Sequence, residues 1–364
     1  MRVLHLVSEK TWRGGEQQVA YLIEELLKQG VQCFVACRRR TPFHDYCLRQ
    51  NIPHVALAFA NEFDFGTAWQ VKKYAEQQQV DVVHVHSAHA HAISIWAYIL
   101  GNHRPIILSR RVDFPVKQNF LSQFKYNHPG IARVVCVSDK IKEVVSQSLK
   151  QPEKCVTVYS GVDMSRFAHS RNTGKLHREF TLPLHLPIIG NVSAIAPHKD
   201  YFTFVDTVEL LVQQHLQAQF FIIGDGPERE QVQAYVQQKQ LQNHITFTGF
   251  RNDIPEILPE LDVMLITSET EGLGTTILDA FACQVPVVAT QAGGIPEIVK
   301  DGHTGLLAPV KRPDLLAQKV IQILRDAPLR ERLVKKAANL AQQFSKENTA
   351  LHTLQVYQEV TNGR

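Results

Sequence analysis

Cysteine is scarce in this 364-residue chain and follows no pairing pattern: the six residues, at 33, 37, 47, 136, 155 and 283, include no Cys-x-x-Cys. That excludes a zinc ribbon or redox dithiol, and their apolar, strand-like surroundings imply reduced thiols in a cytoplasm. Long apolar runs are also missing. The longest, Ala92–Leu100, is interrupted by Ser94 and is too short to span a bilayer. Val3–Val7 is too short for a secretory leader and charge soon follows it. Strong charge of one sign is lacking too, with a formal net charge of +4, and no nucleic-acid partner is expected. The small balance hides an asymmetry: residues 1–170 carry 21 Lys/Arg against 14 Asp/Glu, the remainder 18 against 21. A basic first half suits either an anionic lipid or acidic acceptor, or ordinary scatter.

What is present is a globular composition, 44% apolar and 20% charged, on a chain long enough for two cores. Short β runs alternate with helical stretches: Val3–Val7, Val31–Ala36, Val55–Leu57, Val82–Val85, Ile106–Leu108, Val134–Val137 and Val156–Tyr159. Arg13-Gly14-Gly15-Glu16 opens a helix through Gly30. Residues 160–186, rich in Gly, Ser, Asn, Thr and Pro, break the rhythm and read as an interdomain crossing. The alternation restarts with Ile188–Val192, Phe220–Ile223, Ile245–Phe247, Val263–Ile266 and Val285–Ala289, and past residue 312 the chain reads as mostly helical. Near-continuous apolar strands in β-α order predict an α/β fold of two Rossmann-like domains, with the ligand in the crevice between them. The expected boundaries are 1–170, 171–345 and a last helical segment, 346–364.

Residues 262–283 carry most of the chemistry. A short strand ends at Ile266, the loop Thr267-Ser268-Glu269-Thr270-Glu271-Gly272-Leu273-Gly274 follows, and a helix is predicted from Thr275 to Ala282. A glycine-bearing strand-to-helix loop leaves backbone N–H groups aimed at one point, a seat for phosphate. Glu271 stands on the loop and Asp279 about one turn into the helix, on the face of Thr275 and Thr276. Two carboxylates bracketing an anion seat suit a sugar nucleotide; the plainer reading is that the glycines only make the turn. The run Glu271-Gly272-Leu273-Gly274 with Asp279-Ala280 resembles the Glu, seven residues, Glu signature of retaining glycosyltransferases of the GT-B fold, family four. That resemblance implies a first acid contacting the donor sugar, loop amides from Gly272 to Thr275 holding the diphosphate, and a second acid, here Asp279 and one methylene shorter, holding the ribose. It also implies a last helix that crosses back to the first domain.

Further motifs align with the same family. Gly14-Gly15 is either a plain β-α turn or the glycine pair placed near donor phosphates and acceptor. Asn191 to Asp200 opens the second domain; the resemblance implies a phosphate-neutralising arginine at Ala194 and a lysine at Lys199, of which only Lys199 remains. Ser109-Arg110-Arg111 stands where a histidine is usual, so Arg110 or Arg111 is expected to supply the missing cation across the crevice. Phe247-Thr248-Gly249-Phe250-Arg251 resembles the loop whose backbone reads the nucleobase, and Gly293-Gly294-Ile295-Pro296-Glu297 resembles the loop supporting the donor site. Val116–Tyr126 interleaves aromatic and basic residues, either a helix with one buried face or an acceptor or membrane-facing patch; from Arg110 to Tyr126 it resembles bacterial lipopolysaccharide and surface-glycan enzymes. His84, His86, His89 and His91 offer metal-like spacing but no local carboxylate or thiolate, so packing is expected, with His86 ending a strand at the crevice.

The expectation is a retaining, metal-independent glycosyltransferase without a cofactor. Its catalytic candidates are Glu271, Lys199, Arg110, Arg111 and His86. It would move sugar from a nucleotide-sugar donor to a glycan or lipid-linked acceptor, in the cytoplasm or at the cytoplasmic face of an inner membrane. Alternatives are an epimerase or hydrolase of the same fold, or a non-catalytic nucleotide-sugar-binding partner.

Overall fold

A computed structural model describes residues 1–362. The chain divides into two compact units, Met1–Gly161 joined by the segment from Lys346, and Val162–Ser345. Each is an α/β layer structure around one parallel sheet. In the first, β1 (Arg2–Val7), β2 (Gln32–Arg38), β3 (His54–Leu57), β4 (Val82–Val85), β5 (Ile106–Arg110), β6 (Ile131–Cys136) and β7 (Cys155–Thr157) lie in the order β3-β2-β1-β4-β5-β6-β7. In the second, β8 (Ile188–Val192), β9 (Gln219–Ile223), β10 (Ile245–Gly249), β11 (Val263–Ile266), β12 (Val287–Thr290) and β13 (Leu306–Ala308) lie in the order β10-β9-β8-β11-β12-β13.

Every pairing between these strands is parallel. A parallel sheet covered on both faces buries both side-chain sets, which is why β4, β8, β11 and β12 are buried at every position and are mostly apolar. In each sheet the order reverses once, between β1 and β4 and between β8 and β11. Loops leaving neighbouring strands part there to opposite faces and open a crevice at the carboxyl edge.

The segment expected to be an interdomain crossing is largely built into the second unit. A short 3-10 helix, Met164–Phe167, and the helix Lys175–Glu179 occupy it, with Phe167, Leu176 and His177 buried. The buried carboxylate of Glu260 accepts from the backbone N–H groups of Leu176 and His177, each at 2.9 Å, and lies 2.6 Å from His177 Nδ1. Val162 bridges Ser345, so residues 162–170 belong with the second unit. Small and polar residues suggested a linker; one long-range carboxylate organises them instead.

Several strand boundaries also differ from expectation: β6 starts at Ile131 rather than Val134, and β7 ends at Thr157 rather than Tyr159. β12 begins at Val287 rather than Val285, because Pro286 has no N–H to give a ladder. β13 escapes the sequence pattern: three residues beside Gly305 become a strand by pairing with β12, Ala289 opposite Leu307. The helix Lys346–Asn362 packs in the first unit, where Ala350, Val356 and Tyr357 share a core with Val3, Cys33 and Val35. Thr349 Oγ1 donates to Tyr159 O at 2.9 Å, and Lys346 pairs with buried Glu25 at 3.3 Å.

Candidate active site

Three loops of the second unit are tied together at its order reversal. The loop after β8 is held to the loop after β11 by Thr267 Oγ1, which donates to the carbonyls of Lys199 (3.1 Å) and Asp200 (2.9 Å). The Glu269 amide donates to His198 O at 2.9 Å. The loop after β12 joins through Thr290 Oγ1, 2.6 Å from Ser268 O, and the Gly294 amide, 2.9 Å from Glu271 O. Lys199 and Glu271 thus emerge from strands on either side of the reversal and meet in an ion pair, Nζ to Oε2, both half-buried. Ser268 Oγ donates to the same carboxylate oxygen at 3.4 Å.

Beside this pair starts the helix Thr275–Ala282. Its N-cap is Gly274 at φ +89°, a left-handed conformation that a side chain would strain. Neither a capping side chain nor an acidic residue occupies its first turn, so the partial positive charge of the helix end is left uncancelled by its own sequence. Leu273 is buried and anchors the loop, which leaves its backbone as the only part able to meet a ligand. Thr275 is half-buried at the helix start, and Gly272 lies between Glu271 and the Leu273 anchor. Asp279 is one turn further on. Burial pushes its carboxyl up to about 7, against the opposing pull of the Arg166 cation.

Two residues expected at the donor hold partners within the second unit. Asn191 is buried, and its side-chain oxygen accepts from Ser193 Oγ (3.0 Å) and the Tyr201 hydroxyl (3.3 Å), so it supports the loop from beneath. Arg251 spends its guanidinium on two carboxylates, Glu179 (2.6 and 2.9 Å) and Asp253 (2.8 and 2.6 Å), bracing the loop after β10 against the helix Lys175–Glu179. Between them Phe250 is 71% exposed, a free aromatic face beside the left-handed Gly249.

The first unit repeats the plan at its own reversal. Gly14 and Gly15 begin the helix Gly14–Lys28 after β1, and a Cβ built on either meets nothing within 4 Å. His86 follows β4, its amide bound to Leu6 O at 3.1 Å. Arg110 closes β5; its Nη1 donates to the Tyr126 hydroxyl at 2.9 Å and its Nη2 to Phe114 O. Arg111 reaches His86 O and Nδ1, each at 3.4 Å, while its Nε is buried without a partner among the described residues. Burial lowers the Arg111 guanidinium to about 10, against the pull of Glu16.

His5, which the sequence reading passed over, joins this cluster because register sets it opposite His84. Its Nδ1 is 3.0 Å from His86 Nε2, and one ring nitrogen from each of His5, His84 and His86 lies within 4.8 Å of the others. That spacing resembles a metal site, and the same contacts also admit a metal-free assignment of protons. Arginine only donates, so His86 Nδ1 accepts, His86 Nε2 carries the proton, and His5 Nδ1 accepts in turn. The lone pairs facing each other are consumed, and a guanidinium stands beside them. Burial lowers all three imidazoles, His5 to about 3, so the rings are neutral at pH 7. His91 is buried with Nε2 3.2 Å from Lys125 O, and His89 is exposed.

The chain that carries these two reversals is similar to known proteins. A family model of the group 1 glycosyl transferases covers residues 172–340, and one of glycosyltransferase family 4 covers 12–166. The chain belongs to glycosyltransferase family 4, with the GT-B fold. This glycosyltransferase is 27% identical to N-acetyl-alpha-D-glucosaminyl L-malate synthase of Bacillus anthracis, over 82% of the chain and 80% of that protein. It is 25% identical to the lipopolysaccharide core biosynthesis glycosyltransferase LpsE of Rhizobium meliloti, over 76% of each. Among solved structures, Anabaena Alr3699/HepE, captured with UDP and glucose, superposes with a TM-score of 0.84 at 20% identity, over 99% of this chain and 100% of that one.

Proposed function

We propose that this glycosyltransferase moves a sugar from a nucleotide-sugar donor to a hydroxyl of a glycan or lipid-linked acceptor, with retention at the anomeric carbon and without a metal. The observation that carries the reading is the Lys199–Glu271 pair beside the Gly274-capped helix. When the bond from the sugar C1 to the diphosphate oxygen breaks, negative charge grows on that oxygen. A lysine and an uncancelled helix N-terminus are fixed positive groups suited to receive it. The Gly272–Thr275 amides hold the diphosphate, and Glu271 exchanges its lysine partner for hydroxyls of the sugar. Asp279 accepts from the ribose, and the exposed ring of Phe250 stacks on the base. The bond between C1 and the acceptor oxygen forms as the old one breaks. The acceptor proton passes to the departing phosphate, so atoms balance without an enzyme nucleophile.

In the first unit, both Arg110 and Arg111 keep a buried Nε without a partner among the described residues. Arg110 donates to the Tyr126 hydroxyl at 2.9 Å and to Phe114 O, whereas the contacts of Arg111 to His86 are long, 3.4 Å each, so Arg111 is better suited to meet an anion. Gly14 and Gly15 leave backbone open to close approach. Support for a lipid-linked acceptor comes from a file of rings, Phe65 to Trp96 (4.9 Å), Trp96 to Phe124 (6.5 Å) and Phe124 to Phe120 (6.3 Å), with Phe120 81% exposed. Lys125 is held by Glu62 at 2.9 Å, so Lys117 is the base of this segment that suits an anionic membrane surface beside the rings. No helix among the described residues is long and apolar enough to cross a membrane. The N-acetylglucosaminyl and lipopolysaccharide-core activities named for the relatives favour a hexose-type donor and surface-glycan synthesis.

The test is to incubate the protein with a panel of nucleotide sugars and glycan or lipid-linked acceptors, then read the anomeric configuration of the product by NMR. An α-linked donor giving an α-linked product is expected. An inverted linkage rejects retention, and nucleotide release that ignores the acceptor rejects transfer.

A further inference from the structure

The helix Lys346–Asn362 delivers one polar atom into the core of the first unit. Tyr357 is fully buried, its hydroxyl 2.5 Å from His84 Nδ1, with the rings packed edge to face at 5.5 Å. The other nitrogen of His84, Nε2, lies 2.8 Å from Ser109 Oγ. A bridge therefore runs from the last helix through β4 to β5. His84 Nδ1 is the hydroxyl's partner among the described residues, so a buried O–H satisfies its proton by donating there, and burial, which raises this hydroxyl well above its ordinary range, keeps the proton on it. His84 then accepts at Nδ1 and donates from Nε2 to Ser109, a single tautomer set from the helix side.

The bridge ends where the chemistry is assigned. His86 lies two residues beyond His84 on the same face, the two rings 4.0 Å apart. Arg111 lies two residues beyond Ser109 and touches His86. We propose that Tyr357 is a positioning residue: by fixing the His84 tautomer and, through it, Ser109, it sets the ends of β4 and β5 and hence His86 and Arg111 for sugar transfer. The inference rests on the reading that His86 and Arg111 act on the reactants. It gives the last helix a role in turnover in addition to its packing.

The experiment pairs Tyr357→Phe, which removes one oxygen and keeps the ring, with Ser109→Ala, which cuts the same bridge at its far end. Both are measured well below their melting temperatures. Each is expected to lower kcat about 10-fold, since sub-ångström misplacement of a positioned group has effects of that order. Nucleotide affinity, read by titration, should fall less than kcat, because the proposed donor contacts of the second unit are untouched and only the contact of Arg111 with the anion is shifted. In parallel, nitrogen-15 NMR of labelled histidine should show His84 protonated at Nε2 in the wild type. Tyr357→Phe should then change the His84 tautomer and move the His86 signals. Wild-type kcat in both variants, or a His86 spectrum indifferent to Tyr357→Phe, overturns the proposal. A wild-type protein that transfers no sugar defeats the enzyme reading alone; the spectra still decide whether Tyr357 orders the histidines.

Discussion

Asp279 offers a sharp test because its two roles pull in opposite directions. Its carboxyl is held up to about 7 by burial, from an ordinary value of 3.8. The folded protein therefore binds this proton more tightly than the unfolded chain. The sign follows: the contribution to stability is fully present below about pH 4, declines between about 4 and 7, and is gone above that. Each pH step in that window changes stability by roughly 1.4 kcal/mol, which sets a ceiling of about 4 kcal/mol. The side chain is half-buried, and water reaching it reduces the effect to a working figure of about 2 kcal/mol. Asp279→Asn removes the titration while keeping size and polarity. At pH 8 the variant should be more stable than wild type by about that amount, seen as a rise of about 4–8 °C in the transition of the second unit. At pH 4 the two should melt together. Calorimetry across pH 4–8 checks this, and nucleotide titration on the same samples should show weaker binding if Asp279 holds the ribose. A stability difference that is the same at both pH values, or a wild type more stable at pH 8, refutes the argument.

Three further outcomes are expected. Lys199→Met should lower kcat about 10²–10³-fold by removing a fixed cation from the leaving diphosphate; steady-state kinetics decides, and a loss under tenfold would contradict the assignment. Gly274→Ala places a Cβ 3.0 Å from Ile277 Cδ1 at φ +89°, which should cost about 1–2 kcal/mol in denaturant unfolding and weaken nucleotide binding through the displaced helix start. Exhaustive chelation should leave turnover unchanged, whereas activity lost on chelation and restored by zinc would assign the three histidines to a metal after all.

Much of the second unit was legible because its signals are local. A strand, a glycine loop, an acid on the loop and a helix occupy consecutive residues from 262 to 283, with Gly274 as the helix cap and Leu273 buried. The β-α alternation was readable for the same reason, since strands buried on both faces are mostly apolar. The limits were long-range. Nothing near residue 177 announces that Glu260 will hold it, so a polar stretch looked like a linker. Three-residue β13 exists only because β12 offers an edge.

By itself the amino-acid order determined the succession of parallel strands, the glycine-capped helix and the identities of the charged groups around it. Tertiary structure decided which of those groups are available: Lys199 faces Glu271, Arg251 is consumed by two carboxylates, and Asn191 lies beneath the loop. It also decided that His5, His84, His86 and Tyr357, drawn from both ends of the chain, form one buried cluster. The physical reason is range. Turn and strand preferences act over a few residues, whereas the partner of a buried polar group is set by strand register and packing that bring distant segments together.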